Sequence, residues 1–126
     1  MILIDTHVAL WLYAGLLERL PEPTRALLAG ERKLRASPLV SLELAYTHEI
    51  GRARDPAPMM LAALRQSIGL EVADISLVEL TETAMGLSWT RDPFDRMIAA
   101  QAIVADAPLI TADRTILEHL PLATWD

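Results

Sequence analysis

Short apolar runs alternate with stretches of helical period along this 126-residue chain. Ile2-Leu3-Ile4 is apolar at every position, the pattern of a strand buried on both faces. His7 to Ala14 follows as a short helix ended by Gly15. Pro21 and Pro23 open the next helix and Gly30 closes it, each residue standing where helices favour it. Leu34 to Ala36 predicts a second strand, and a helix from about Leu39 to Ile50 runs up to Gly51. Arg52 to Pro58 reads as a loop, Met59 to Ile68 as a helix stopped by Gly69, and Val72-Ala73-Asp74-Ile75 as a third strand. A helix from Leu77 to Leu87 precedes the loop Thr90-Arg91-Asp92-Pro93-Phe94, where proline pushes the residue before it out of the helical region. Asp95 then starts a long helix reaching about Ala105. Pro108-Leu109-Ile110-Thr111 predicts the fourth strand, Thr115 to Leu120 a short helix, and Ala123-Thr124-Trp125 an edge strand. This alternation predicts one α/β domain over residues 1–126, built on a parallel sheet.

Composition narrows the class. A chain of this length closes one sizeable core without a staple. Hydrophobic residues make up 52% and charged residues 22%, which excludes a disordered chain. There is no cysteine, so disulfides and thiolate metal sites are both excluded, in keeping with a cytoplasmic location. No basic segment and no cleavage signal accompany Met1-Ile2-Leu3-Ile4, so no leader is expected. The apolar stretch from Met97 to Ala105 is interrupted by Gln101 and is too short to span a bilayer, which argues against a membrane partner. The net charge of −6 argues against binding nucleic acid by bulk attraction. It does not exclude a nuclease, because acids gathered around metal ions contribute to that charge and the ions invert the local field.

Four acids stand out by placement. Asp5 ends the first strand, Asp113 follows the fourth, Asp95 opens the long helix, and Glu43 lies on the helix after the second strand. In open parallel sheets, ligands bind beyond the carboxyl ends of the strands, where the strand order reverses. Asp5, Asp95 and Asp113 would face that crevice, with Glu43 swung over it. Clustered carboxylates repel one another unless a cation joins them, and an all-oxygen set suits Mg²⁺ or Mn²⁺. Taken singly, Asp5, Asp95 and Asp113 each stand where a helix N-cap would, and Glu43, like Glu49, reads as a solvated helix residue. An Asp closing a buried Ile-Leu-Ile run is poorly solvated unless it meets a cation or several donors, which favours the metal site. Arg91, Arg96 and Arg114 flank these acids and are candidates for phosphate contacts. His7, His48 and His119 show no ligand spacing, and Trp11, Trp89 and Trp125 read as core or interface residues, any of which could stack on a base.

Ile4-Asp5-Thr6-His7, Ser41-Leu42-Glu43-Leu44, Asp92-Pro93-Phe94-Asp95-Arg96 with Ile98-Ala99-Ala100-Gln101-Ala102, and Thr111-Ala112-Asp113 occur in that order. Together they resemble the PIN-domain ribonucleases, in particular the VapC-like toxins of type II toxin–antitoxin pairs. The resemblance implies a three-layer α/β/α fold with a parallel sheet of about five strands in the order 3-2-1-4-5. It implies that Asp5, Glu43, Asp95 and Asp113 are the catalytic acids, with Asp5, Asp95 and Asp113 as ligands of Mg²⁺ or Mn²⁺. Thr111 and Thr6 would support them, and Asp92 and Arg96 belong to the motif without an assigned role. It further implies an RNA substrate, a homodimer, and a cognate antitoxin lying in an apolar groove near the acids. One departure is Leu87-Ser88-Trp89-Thr90, where many relatives carry Leu-Pro and a His before the motif.

Other readings fit less well. A haloacid-dehalogenase-like site needs a second Asp two positions after Asp5, where His7 stands. A receiver-like site needs a late lysine, and Lys33 is the only lysine. A non-catalytic PIN-like binding module would have lost one of the acids, and all are present. The mean hydropathy of +0.29 predicts exposed apolar surface. The helix from Leu39 to Ile50 and the segment from Met59 to Leu64 are the candidates to receive a partner.

Overall fold

The central strand β1 (Ile2–Ile4) is buried along its whole length and is paired on both sides. The computed structural model describes residues 1–30 and 33–126. On one side β1 is parallel to β2 (Leu34–Ala36), with Ile2 opposite Leu34. On the other it is parallel to β4 (Leu109–Ile110), with Leu3 opposite Leu109. β3 (Glu71–Val72) and β5 (Ala123–Thr124) complete the sheet in the order β3-β2-β1-β4-β5. This is the expected order, and every pairing is parallel. β4 and β5 are shorter than the sequence predicts, and β3 departs most from the expected Val72 to Ile75. It starts a residue earlier and stops at Val72, after which the Ala73 N–H still donates to the Ala36 carbonyl.

Parallel neighbours require crossovers, and helices supply them. α1 (Thr6–Ala14), α2 (Glu22–Ala29), α3 (Pro38–Glu49) and α4 (Ala57–Ile68) fall in the half of the chain that builds β1, β2 and β3. α5 (Leu77–Met85), α6 (Pro93–Ala105) and α7 (Arg114–His119) belong to the half that adds β4 and β5 on the opposite side of β1. Right-handed crossovers running in opposite directions put the two helix groups on opposite faces, which gives three layers. Leu3, Ile4, Val8, Leu44, Met60, Leu64, Ile98, Leu109, Ile110 and Ile116 fill the main core. α5 packs on α6 through a separate small cluster of Leu80, Ala84 and Ala100.

Strand order reverses around β1. Its carboxyl end, with that of β4, therefore opens the crevice in which such sheets hold ligands.

Candidate active site

Asp5 is the first residue past β1 and the N-cap of α1. Its backbone N–H donates to the Ile110 carbonyl, tying it to β4 at 3.0 Å. It is only 5% exposed. One carboxylate oxygen accepts from the Thr6 N–H at 2.7 Å, and the other from the Thr111 hydroxyl at 2.6 Å. A carboxylate offers about four lone-pair sites, so both oxygens keep a free one. Burial pushes this carboxyl above its usual range, against the pull of the bonds from Thr111 and Thr6.

Two threonines extend the arrangement. Buried Thr6 donates its hydroxyl to Glu43 Oε1 at 2.5 Å, holding α3 against α1. Thr111 is wholly buried, and besides donating to Asp5 it accepts from the Asp113 N–H at 3.1 Å. Asp113 in turn caps α7, its Oδ1 accepting from the Ile116 N–H at 2.9 Å. Glu43, Thr6, Asp5, Thr111 and Asp113 thus form one chain of hydrogen bonds. Thr6 is its least legible member, because in sequence it is only the residue after Asp5.

Asp95 stands differently from the sequence expectation. α6 begins at Pro93, and its N-cap is Asp92, whose Oδ1 accepts from the Phe94 N–H at 2.8 Å and the Asp95 N–H at 3.3 Å. Because proline fills the first helical position, the cap moves ahead of it, and Asp95 is left free of capping. Arg96 turns back to donate from Nε to the Thr90 carbonyl at 2.8 Å, bracing the loop before the helix. Both motif residues without an assigned role therefore shape the entry of α6.

The acids sense one another. Burial raises the Asp95 carboxyl most, followed by repulsion from Asp92, Asp113, Asp5 and Glu43, so that it titrates at about 7. Glu43 is raised by burial first, then by Asp5 and Asp92, with the Thr6 bond and His7 opposing. Four elements thus deliver carboxylates to one region. Glu49, indistinguishable from Glu43 in sequence, is exposed. His7 is a further neighbour of Asp5 and Glu43, and its position two residues after Asp5 was the available signal.

Among the described residues, no three His, Asp or Glu side chains are drawn together to ligate one ion directly. The expectation from sequence was that at least three of Asp5, Glu43, Asp95 and Asp113 reach a common ion or its waters. Asp5 and Asp113 each also engage a carboxylate oxygen in a helix cap. The donor set still fits Mg²⁺ or Mn²⁺: it is oxygen only, anchored by hydrogen bonds, and mutually repulsive without a cation. Mg²⁺ gives up its water reluctantly and is commonly held by one or two carboxylates with water completing its shell. A cavity of about 460 Å³ lined by Leu61, Arg65, Leu70, Glu71 and Val72 lies at the β3 edge and includes none of Asp5, Glu43, Asp95 and Asp113.

The sequence model of the PIN domain matches residues 2–120. The chain belongs to the PIN-domain family. Among curated proteins it is similar to ribonuclease VapC22 of Mycobacterium tuberculosis, with 29% identity over 138 residues and 98% of each chain covered. The fold is shared with solved structures. VapBC2 from Rickettsia felis, bound to a DNA fragment from its promoter, aligns at a TM-score of 0.70 with 22% identity and full coverage of both chains. A toxin–antitoxin complex from Klebsiella pneumoniae aligns at 0.71 with 20% identity, covering 98% of this chain and 96% of the other. DNA-bound VapBC from Salmonella typhimurium aligns at 0.64 with 24% identity, covering 99% and 96%. This PIN domain accordingly carries the expected resemblance through both sequence and fold.

Proposed function

We propose that this PIN domain is a Mg²⁺- or Mn²⁺-dependent endoribonuclease that acts as the toxin of a toxin–antitoxin pair in the cytoplasm. The observation that carries the reading is the cluster at the reversal of strand order. There, buried Asp5 is gripped by Thr6 and Thr111, and Asp95 is raised to about 7 by burial first and then by the acids around it. Such a cluster is costly to leave unneutralised, and a divalent ion supported by Asp5, Asp95 and Asp113 relieves it. When bound, that ion supplies Lewis acidity and lowers the pKa of a water. Asp5 is locked in place by its two donors and fixes the geometry. Glu43, held by Thr6 and easily protonated, is placed to exchange a proton with the attacking water.

The partner reading rests on exposed apolar side chains. On α3, Leu42 and Tyr46 are 58% and 53% exposed, and on α4 Met59 is 55% exposed. These are the segments expected to receive a partner, although Met60 and Leu64 of the same α4 segment are core. A protein of the same fold is solved in a toxin–antitoxin complex, and we assign the α3 and α4 surface to an antitoxin segment. The α5 face of Leu77, Val78 and Met85, 63–71% exposed, is assigned to a second copy of the chain. Sequence reading passed over α5. No helix among the described residues is long and apolar enough to cross a membrane.

The test is cleavage of a mixed RNA pool with Mg²⁺ or Mn²⁺ and with excess EDTA. Cleavage is expected only with metal, and Asp5→Asn and Asp95→Asn should each abolish it. An intact RNA pool with wild-type protein in both metals returns the chain to a non-catalytic binding module.

A further inference from the structure

Trp89 and His119 meet in a parallel stack, ring centroids 5.2 Å apart and planes 4° from coincident. Trp89 is partly buried, packed against the main core, whereas His119 is an exposed residue at the end of α7. Its Nδ1 lies 2.8 Å from the Thr115 carbonyl. A carbonyl only accepts, so Nδ1 carries the proton and the ring is held by that bond as well as by the stack. One face of the imidazole is covered by Trp89. The residue's exposure leaves the other face available to a flat ligand.

The two segments that bring these rings together are the ones that deliver acids. Trp89 stands on the loop leading to the Asp92 cap and Asp95, and His119 ends the helix that Asp113 begins. That helix has six residues, so ring and acid are about 9 Å apart along it. The same segments carry Arg91 and Arg114, both exposed, and neither is in an ion pair among the described residues. In a chain of net charge −6, Arg91 follows Trp89 by two residues and Arg114 opens the helix that His119 ends, so both segments bring an exposed cation as well as a ring. Single-stranded nucleic acid is bound by this pairing of groups, cations on the phosphates and flat rings on the bases.

We propose that Trp89, His119, Arg91 and Arg114 form a subsite for single-stranded RNA, one nucleobase lying on the open face of His119 and a neighbouring phosphate meeting the arginines. This inference rests on the ribonuclease reading for the identity of its ligand. Trp89 acts through His119 by fixing its plane, and is a positioning residue.

The test is binding of a short fluorescein-labelled oligoribonucleotide of randomised sequence, read by anisotropy in Ca²⁺ with the RNA checked intact on a gel. His119→Ala should weaken binding by about five- to tenfold, the lower end of the loss of one aromatic–base stack, and His119→Phe should restore it. His119→Ala should leave the melting temperature unchanged, because the residue is exposed. An oligomer of the same length made of abasic nucleotides should bind wild type and His119→Ala alike. The double variant Arg91→Ala with Arg114→Ala should lower the slope of log affinity against log salt by about 0.7, the amount for one phosphate contact on a single strand. His119→Ala should leave that slope alone. Wild-type affinity in His119→Ala, or equal binding of abasic and ordinary RNA by wild type, overturns the subsite and leaves the ribonuclease reading standing. A wild-type protein that binds no RNA overturns both.

Discussion

The Thr111 hydroxyl donates to Asp5 Oδ2 at 2.6 Å across 106 positions of sequence, joining the end of the first strand to the end of the fourth. It is a buried bond to a carboxylate whose other oxygen is also engaged, so its loss leaves an acceptor without a donor. Thr111→Val keeps the shape and removes the hydroxyl. We expect it to lower stability by about 1–3 kcal/mol and to reduce RNA cleavage strongly, while Thr111→Ser restores both. Chemical denaturation and a cleavage assay measure the two effects. A Thr111→Val protein of wild-type stability and activity would show the bond to be incidental.

The pH dependence of the metal-free protein follows from Asp95. Its carboxyl titrates at about 7 when folded and near 3.8 as an ordinary Asp. Between those values the folded chain holds a proton that the unfolded chain has released, so stability falls as pH rises through this window. Asp5 and Glu43 are raised as well and act in the same direction. Asp95→Asn should remove roughly 1–2 kcal/mol of that fall, after discounting for solvent screening at this half-exposed position. Melting curves in EDTA from pH 4 to 8 supply the comparison. Stability that rises across the window, or an unchanged slope in the variant, would contradict the crowding of acids.

Asp92 separates two roles. As N-cap of α6 it is expected to stabilise by about 1 kcal/mol, lost in Asp92→Ala and kept in Asp92→Asn, since Asn caps equally well. As a charge it is the foremost neighbour raising Asp95. Asp92→Asn should therefore keep the melting temperature and shift the Asp95 titration downward, measured by carboxyl NMR. A titration that does not move would place Asp92 outside the cluster.

Parallel α/β architecture was legible in the chain because β1 is apolar throughout and proline and glycine punctuate the helices, whereas the strand order came from the family resemblance alone. Asp5 and Asp113 were legible as residues just past strands. The end of β3 was not: Val72-Ala73-Asp74-Ile75 has the composition of a strand, but only Ala73 continues the ladder, through one hydrogen bond to Ala36. Nor was the cap of α6, where Asp92 and Asp95 stand on either side of the proline and only the backbone shows which one bonds the free N–H groups. The Thr6–Glu43 bond and the Trp89–His119 stack join residues far apart in sequence, and no local pattern reports them.

The α5 face is assigned to a second copy, and Val78 is exposed on it. Val78→Glu should shift the protein from dimer to monomer in light scattering without lowering its melting temperature as a monomer. Two glutamates facing each other across a two-fold contact repel, and their desolvation adds to the cost. A wild-type protein that is already monomeric at high concentration would remove the assignment.

The hydrogen-bonded chain from Glu43 to Asp113 makes the acid cluster depend on both early and late segments of the polypeptide. Asp5 and Glu43 are made early, but Thr111 follows β4, Asp95 lies on α6 and Asp113 caps α7, all in the later part of the chain. A nascent chain that has not reached Thr111 has β1 without its neighbour β4 and a buried acid without a hydroxyl. The same dependence applies to any truncated product. A chain of this design assembles its acid cluster only once Thr111 and the residues after it are in place.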